Sequence, residues 1–166
     1  MKTLRIISVF ATVFFLLNAC NDETQTDLQK PEIILDIADA FPQNCDTLYF
    51  GETFTFKALF TDNFELGADN AFSINIHNNF DHHSHSTEVT ECVLEAVKDA
   101  ANPFSFIESY SIPEGTRDYE TAITIDLTEG DSNGVFDDGD YHFFISLTDK
   151  EGWSVQKGLS IKILHR

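Results

Sequence analysis

Basic residues are scarce in this chain: 10 Lys and Arg stand against 28 Asp and Glu in 166 residues, a formal net charge of −18. Gripping nucleic acid or an anionic membrane surface requires clustered Lys and Arg, so both classes are excluded. Methionine is confined to Met1, which removes the thioether ligands that copper(I) carriers use. Cysteine is limited to Cys20, Cys45 and Cys92, none in a CxxC pair. One Trp, Trp153, and four Tyr are a thin supply of aromatic platforms for sugars. No Gly-rich phosphate loop, GxSxG elbow or HExxH occurs, and an enzyme is the least supported class. What the chain has is apolar mass: 42 % hydrophobic residues with sixteen Phe can build the core of one domain, so disorder is not expected.

The chain opens with Lys2 and Arg5 ahead of Ile6 to Leu17, twelve residues without a charge, and then Leu17-Asn18-Ala19-Cys20. Spanning a bilayer takes about 20 apolar residues, so residues 1–19 read as a signal peptide. The four residues at its end resemble the lipobox of bacterial lipoproteins, which implies that Cys20 is the lipidated first residue of the mature chain. Residues 20–29 are then a polar tether, and 30–166 the folded domain. Loss of residues 1–19 removes two bases and no acid, leaving 28 acids against 8 bases, a net charge of −20. The acidic run after Cys20 resembles the surface-export signal of Bacteroidota lipoproteins. The expected location is the outer membrane, on its outer or its periplasmic face, with the lipid as the only membrane contact. In that oxidising compartment Cys45 and Cys92 are expected to form a disulfide, a metal ligand being the weaker alternative.

Within 30–166 the apolar residues alternate. Strands are read at 32–37, 48–61, 72–77, 104–111, 121–127, 141–148 and 155–164; Phe72, Ile74 and Ile76, and Tyr141, Phe143, Ile145 and Leu147, mark one face of two of them. About seven such strands with no βαβ rhythm predict an all-β fold, an immunoglobulin-like antiparallel β-sandwich. Asp140-Tyr141 at the start of the sixth strand matches the tyrosine corner of such folds. Between the third and fourth strands, Val89, Cys92, Val93, Ala96, Val97 and Ala100 recur at helical spacing until Asn102-Pro103. A short helical insertion is expected there, turning Cys92 inward.

Four of the six His fall within nine residues, His77-Asn78-Asn79-Phe80-Asp81-His82-His83-Ser84-His85. Imidazole suits Zn²⁺, Cu²⁺ and Ni²⁺, and in extended chain His83 and His85 face the same way. Asp81 offers an oxygen ligand or orients a His. His77 lies on the polar face of the third strand and His142 on that of the sixth; in an immunoglobulin-like sheet these strands are neighbours, so the two His should meet beside the His82 to His85 loop. His165 arrives at the same end in phase with Ile161 and Ile163, which argues against it as a ligand. Phe80, if buried in mid-loop, would fix the flanking His. The expected ligand set is His77, Asp81, His82, His83, His85 and His142, for zinc first and copper(II) second. The competing reading is a solvated polar loop.

Phe50-Gly51-Glu52-Thr53-Phe54, Asp62-Asn63, Ile76 to His85 and Tyr141-His142-Phe143 resemble a family of Bacteroidota lipoproteins of uncharacterised function with an immunoglobulin-like domain and a His-rich segment. The resemblance covers most of 30–166 and implies no settled activity. A second ion site is suggested by Asp131, Asn133, Asp137, Asp138 and Asp140, hard oxygen donors for Ca²⁺. Turns built on Asn133-Gly134 and Asp138-Gly139 explain the same residues better. The alternative to metal binding is a non-catalytic surface module for a glycan or protein, with loops doing the recognition.

Overall fold

The computed structural model describes residues 26–67 and 69–166; the expected signal peptide, Cys20 and the first part of the tether lie outside them. The described chain is all-β, with two layers packed face to face as in a β-sandwich. The first layer has five strands in the order β2 (Thr47–Tyr49), β12 (Ser154–Leu164), β11 (Gly139–Thr148), β5 (Phe72–Asn78) and β6 (Phe106–Tyr110). Here the third, sixth and seventh strands of the sequence reading are adjacent and antiparallel, while β2 joins β12 in parallel.

The expected single strand 48–61 is three pieces. After β2 the chain leaves the first layer at Phe50-Gly51, where Gly51 takes φ +82°, a backbone conformation that Gly adopts without strain. It continues in the second layer as β3 (Glu52–Phe56) and β4 (Leu59–Thr61). These pair with β8 (Ile123–Leu127) and β7 (Asp118–Glu120), and β1 (Glu32–Ile34) adds to β4. Thr121 bridges the break between the two pairs: its hydroxyl accepts from Ala58 N at 2.9 Å and its N donates to Ala58 O at 2.8 Å. The residues that define the alternation face inward, so Phe56 packs on Phe143 at 5.3 Å and Phe60 on Phe72 at 5.0 Å between ring centroids. Burial of these side chains is the main stabilising term, worth about 1.5–3 kcal/mol each.

A further expectation needs correction. Residues 88–101 form no helix; they run without regular structure across the outer face of the first layer. A helix would need their own i to i−4 bonds, but the sheet and its loops take those groups instead. Thr90 O accepts from Asn44 Nδ2, Glu95 N donates to Asp140 Oδ2, Lys98 N to Phe80 O, and Ala101 N to Asp137 Oδ2. The apolar stripe also faces out, with Val89 98 %, Val93 85 % and Val97 63 % exposed. The turn expected around Asn133-Gly134 is present as a small hairpin, β9 (Gly130–Asp131) with β10 (Gly134–Val135). Cys45 and Cys92 form the expected disulfide, with Cα atoms 5.3 Å apart.

Candidate metal centre

His77 and His142 are direct cross-strand partners on β5 and β11, both on the outer face because Ile76 and Tyr141 take the inner one. Residues 82–88 then fold back over that face. Thr87 N donates to Gly158 O at 2.9 Å and Thr87 Oγ1 accepts from Gly158 N at 3.1 Å, which fastens the loop to β12. A Cβ on Gly158 would stand 2.0 Å from the His85 carbonyl oxygen, so glycine is what lets the loop lie this close. Phe80 pins the loop's beginning: it is 3 % exposed, edge-on to Tyr141 at 5.4 Å, with the Lys98 ammonium 4.3 Å from its ring centre.

The result is a packed group of four imidazoles, His77, His83, His85 and His142, with ring centroids between 4.8 and 5.6 Å apart for every pair. One ring nitrogen from each of His77, His83 and His85 lies within 4.8 Å of the others. His77 Nδ1 donates to Asn75 Oδ1 at 3.1 Å, and His83 Nδ1 to Asp81 Oδ1 at 2.5 Å. Both rings are thereby fixed in the tautomer that leaves Nε2 with a free lone pair. His85 Nδ1 approaches His77 Nε2 to 3.1 Å. Two nitrogens held by one tetrahedral zinc at about 2.0–2.1 Å stand about 3.3 Å apart, so this spacing fits a shared ion.

Burial first, and then the rings of His142, His85 and His83, hold the His77 imidazole down at about 4. It is therefore neutral, as a metal ligand must be, throughout the neutral and mildly acid range. Burial likewise lowers His142. His142 is 1 % exposed and its Nε2 donates to the His83 carbonyl at 3.0 Å, while its Nδ1 is buried without a partner. It forms the floor of the group and holds the His83 backbone. Asp81 lies on the rim as the orienting partner of His83, whose hydrogen bond lowers the Asp81 carboxyl below its usual range. His82 is turned away, with φ +59° and Nε2 on the Glu95 carbonyl at 3.0 Å. His165 packs on Phe50 and pairs with Asp138 at 2.7 Å, apart from the group. Asn75, Gly158 and the histidine floor's contact to the His83 carbonyl were not read from the sequence. Asn75 had a signal, being two residues from His77 and so on the same face.

The oxygen-rich stretch near residue 131 does not converge. Asp131 Oδ1 accepts from Asn133 N at 2.7 Å, Asp137 Oδ2 from Asn102 N at 2.8 Å, Asp138 Oδ1 from His165 N at 2.7 Å, and Asp140 Oδ2 from Glu95 N at 2.6 Å. Each carboxylate is thus taken by the backbone N–H of a different residue. A different acidic group is present, one oxygen each from Asp27, Asp62 and Asp149 lying within 4.8 Å of one another. Sequence reasoning missed it, because the three are far apart in the chain.

Comparison with known proteins gives one family, described as a domain of unknown function (DUF4625), which matches residues 18–164. No curated protein and no solved structure matches.

Proposed function

The chain belongs to the DUF4625 family, of unknown function, and we propose that it is a metal-binding protein, for zinc first and copper(II) second. The observation that carries this is the convergence of His77, His83 and His85 nitrogens within 4.8 Å. In this reading His77 and His83 bind through Nε2, His85 closes the set, Asn75 and Asp81 orient two of the rings, and His142 supports them from below. Three protein ligands leave one coordination position for water or an exogenous group, and the exposure of His85 keeps that side open to solvent. Catalysis is not part of the proposal. A hydrolytic site would need a free general base, and Glu88, the nearest carboxylate in sequence to His85, pairs with Lys157 at 3.0 Å.

The cellular setting belongs to the same proposal: lipid attachment at Cys20 to the outer membrane, with the domain at the surface or in the periplasm. An immunoglobulin-like identity for the sandwich is supported by two features. The strand order runs β12-β11-β5 with β2 added in parallel, and the Tyr141 hydroxyl donates to the Asp137 carbonyl at 2.6 Å, as a tyrosine corner does.

The test is elemental analysis of full-length protein purified without a His tag, followed by Zn²⁺ titration at neutral pH. Stoichiometric binding that is lost in a His83→Ala/His85→Ala double variant is expected; no binding, or binding that the double variant retains, overturns the proposal. A second reading, a docking module for a protein or glycan, is favoured by the exposed Val89, Val93 and Val97 beside the His group. It predicts ligand capture that a chelator leaves unchanged.

A further inference from the structure

Asp27 precedes β1, Asp62 follows β4, and Asp149 follows β11. Each carboxylate uses one oxygen to close its own turn: Asp27 Oδ1 accepts from Gln29 N at 3.0 Å, Asp62 Oδ2 from Phe64 N at 2.7 Å, and Asp149 Oδ1 from Trp153 N at 2.8 Å. The other oxygen of each, Asp27 Oδ2, Asp62 Oδ1 and Asp149 Oδ2, is buried with no hydrogen-bond partner. Asp27 and Asp149 are both only 4 % exposed. Among the described residues no Lys, Arg or His forms an ion pair with any of the three.

Turn closure accounts for one oxygen per residue and leaves the second unexplained. Three clustered carboxylates, Asp27 and Asp149 buried and Asp62 half-buried, repel one another, and an unpaired buried charge is among the most costly features a fold can hold. Protons or a cation must offset it. Burial, followed by the charges of Asp62 and Asp27, raises the Asp149 carboxyl above the usual carboxylate range.

We propose that Asp27, Asp62 and Asp149 form a second cation site, for Ca²⁺, at the end of the sandwich opposite the His group. The donor set is all oxygen, which excludes the soft and borderline metals that suit the imidazoles and selects a hard ion. Ca²⁺ takes oxygens at about 2.3–2.6 Å, so donors up to about 4.8 Å apart reach one ion. The two sites are separate: His142 and Asp149 lie seven residues apart on and just beyond β11, roughly 23 Å at about 3.3 Å per residue. Asp27 lies on the segment that leads into the domain, so the ion fastens that segment to the ends of β4 and β11. Expected affinity is that of extracellular Ca²⁺ modules, with a Kd of about 10⁻⁴–10⁻³ M.

Trp153 supplies the probe. It is the only Trp in the chain, and its indole N–H donates to the Asp27 carbonyl at 3.2 Å, so a lanthanide in the site would be excited through it. In full-length protein, Tb³⁺ luminescence on Trp excitation should appear, fall when Ca²⁺ is added, and stay unchanged when Zn²⁺ is added. Ca²⁺ should also raise Tm and slow proteolysis between residues 20 and 32. Asp149→Asn should lose the luminescence and the Ca²⁺ response while melting in chelator no lower than the parent, because it removes one repelling charge. The His83→Ala/His85→Ala variant should keep both responses, which separates this site from the proposed zinc site. Absence of Tb³⁺ luminescence in the parent, luminescence that Ca²⁺ does not displace, or an unaltered Ca²⁺ response in Asp149→Asn overturns the proposal.

Discussion

His77 shows how much of a site one side chain's surroundings determine. Its alternation with Ile76 puts it on the outer face of β5, Asn75 Oδ1 takes its Nδ1 hydrogen, and burial among three other rings keeps it neutral. The depressed value has a consequence for stability. Unfolded, the ring titrates near 6.5; folded, it titrates at about 4. Between those values the unfolded chain binds the extra proton, so stability is full above about pH 6.5 and is lost as pH falls toward 4. With chelator present, Tm should therefore drop over that window, and a His77→Gln variant should show a shallower drop. An equal slope in both proteins would mean that His77 is not the group responsible. The ligand candidates were legible because His is rare and four of six fall together; Asp27, Asp62 and Asp149 were not, since only the fold brings positions 27, 62 and 149 together.

At the scale of elements, the strands with regular alternation were readable and the irregular ones were not. Phe72, Ile74 and Ile76 opposite Tyr141, Phe143 and Ile145 gave both phase and neighbour, and from them followed the meeting of His77 with His142. The break at Gly51 was hidden inside an unbroken period-two pattern, although a Gly within a strand pattern is a known mark of a bend. The false helix has a plainer cause: Val89, Val93 and Val97 are spaced for a helix but have no layer to pack on, and the backbone beneath them is bonded to the sheet. That segment is tied to the sheet by Cys92, whose bridge to Cys45 spans a separation of 47 residues. Loop-closure entropy for that span is about 4 kcal/mol. A Cys45→Ser/Cys92→Ser variant should lose about 2–4 kcal/mol in urea unfolding and bind Zn²⁺ more weakly, because the cover over the His group is released. Unchanged Zn²⁺ affinity would show that the loop needs no such tie. Gly158 makes a sharper test, as it touches no ligand side chain. Gly158→Ala must push the His85 carbonyl out of the space 2.0 Å from the new methyl, an overpacking that costs about 1–3 kcal/mol. Zn²⁺ affinity should fall at least about tenfold, the equivalent of about 1.4 kcal/mol, whereas Gln156→Ala on the same strand should leave it unchanged.

For the whole molecule, net charge and shape divide the work. The chain's formal charge of −18 gives the molecule a field that attracts cations without selecting among them. In the proposed reading, selection falls to two small donor sets at opposite ends of β11, one of nitrogen and one of oxygen. The all-β class was legible from alternation over the whole chain, while the switch of layers at Phe50-Gly51 and the path of residues 82–102 depend on contacts between distant segments.

The crossing of the His85 backbone over Gly158 bears on what metal binding would stabilise. The loop's anchors, Gly158 on β12 and Asp140 on β11, are backbone and side-chain groups of strands that must already be paired. β12 also carries a glycine in mid-strand, a local cost of roughly 0.5–1 kcal/mol relative to alanine, which only the finished loop makes good. The imidazole group thus requires the paired strands beneath it, and in the proposed reading metal bound there would stabilise the finished sheet as well as the loop.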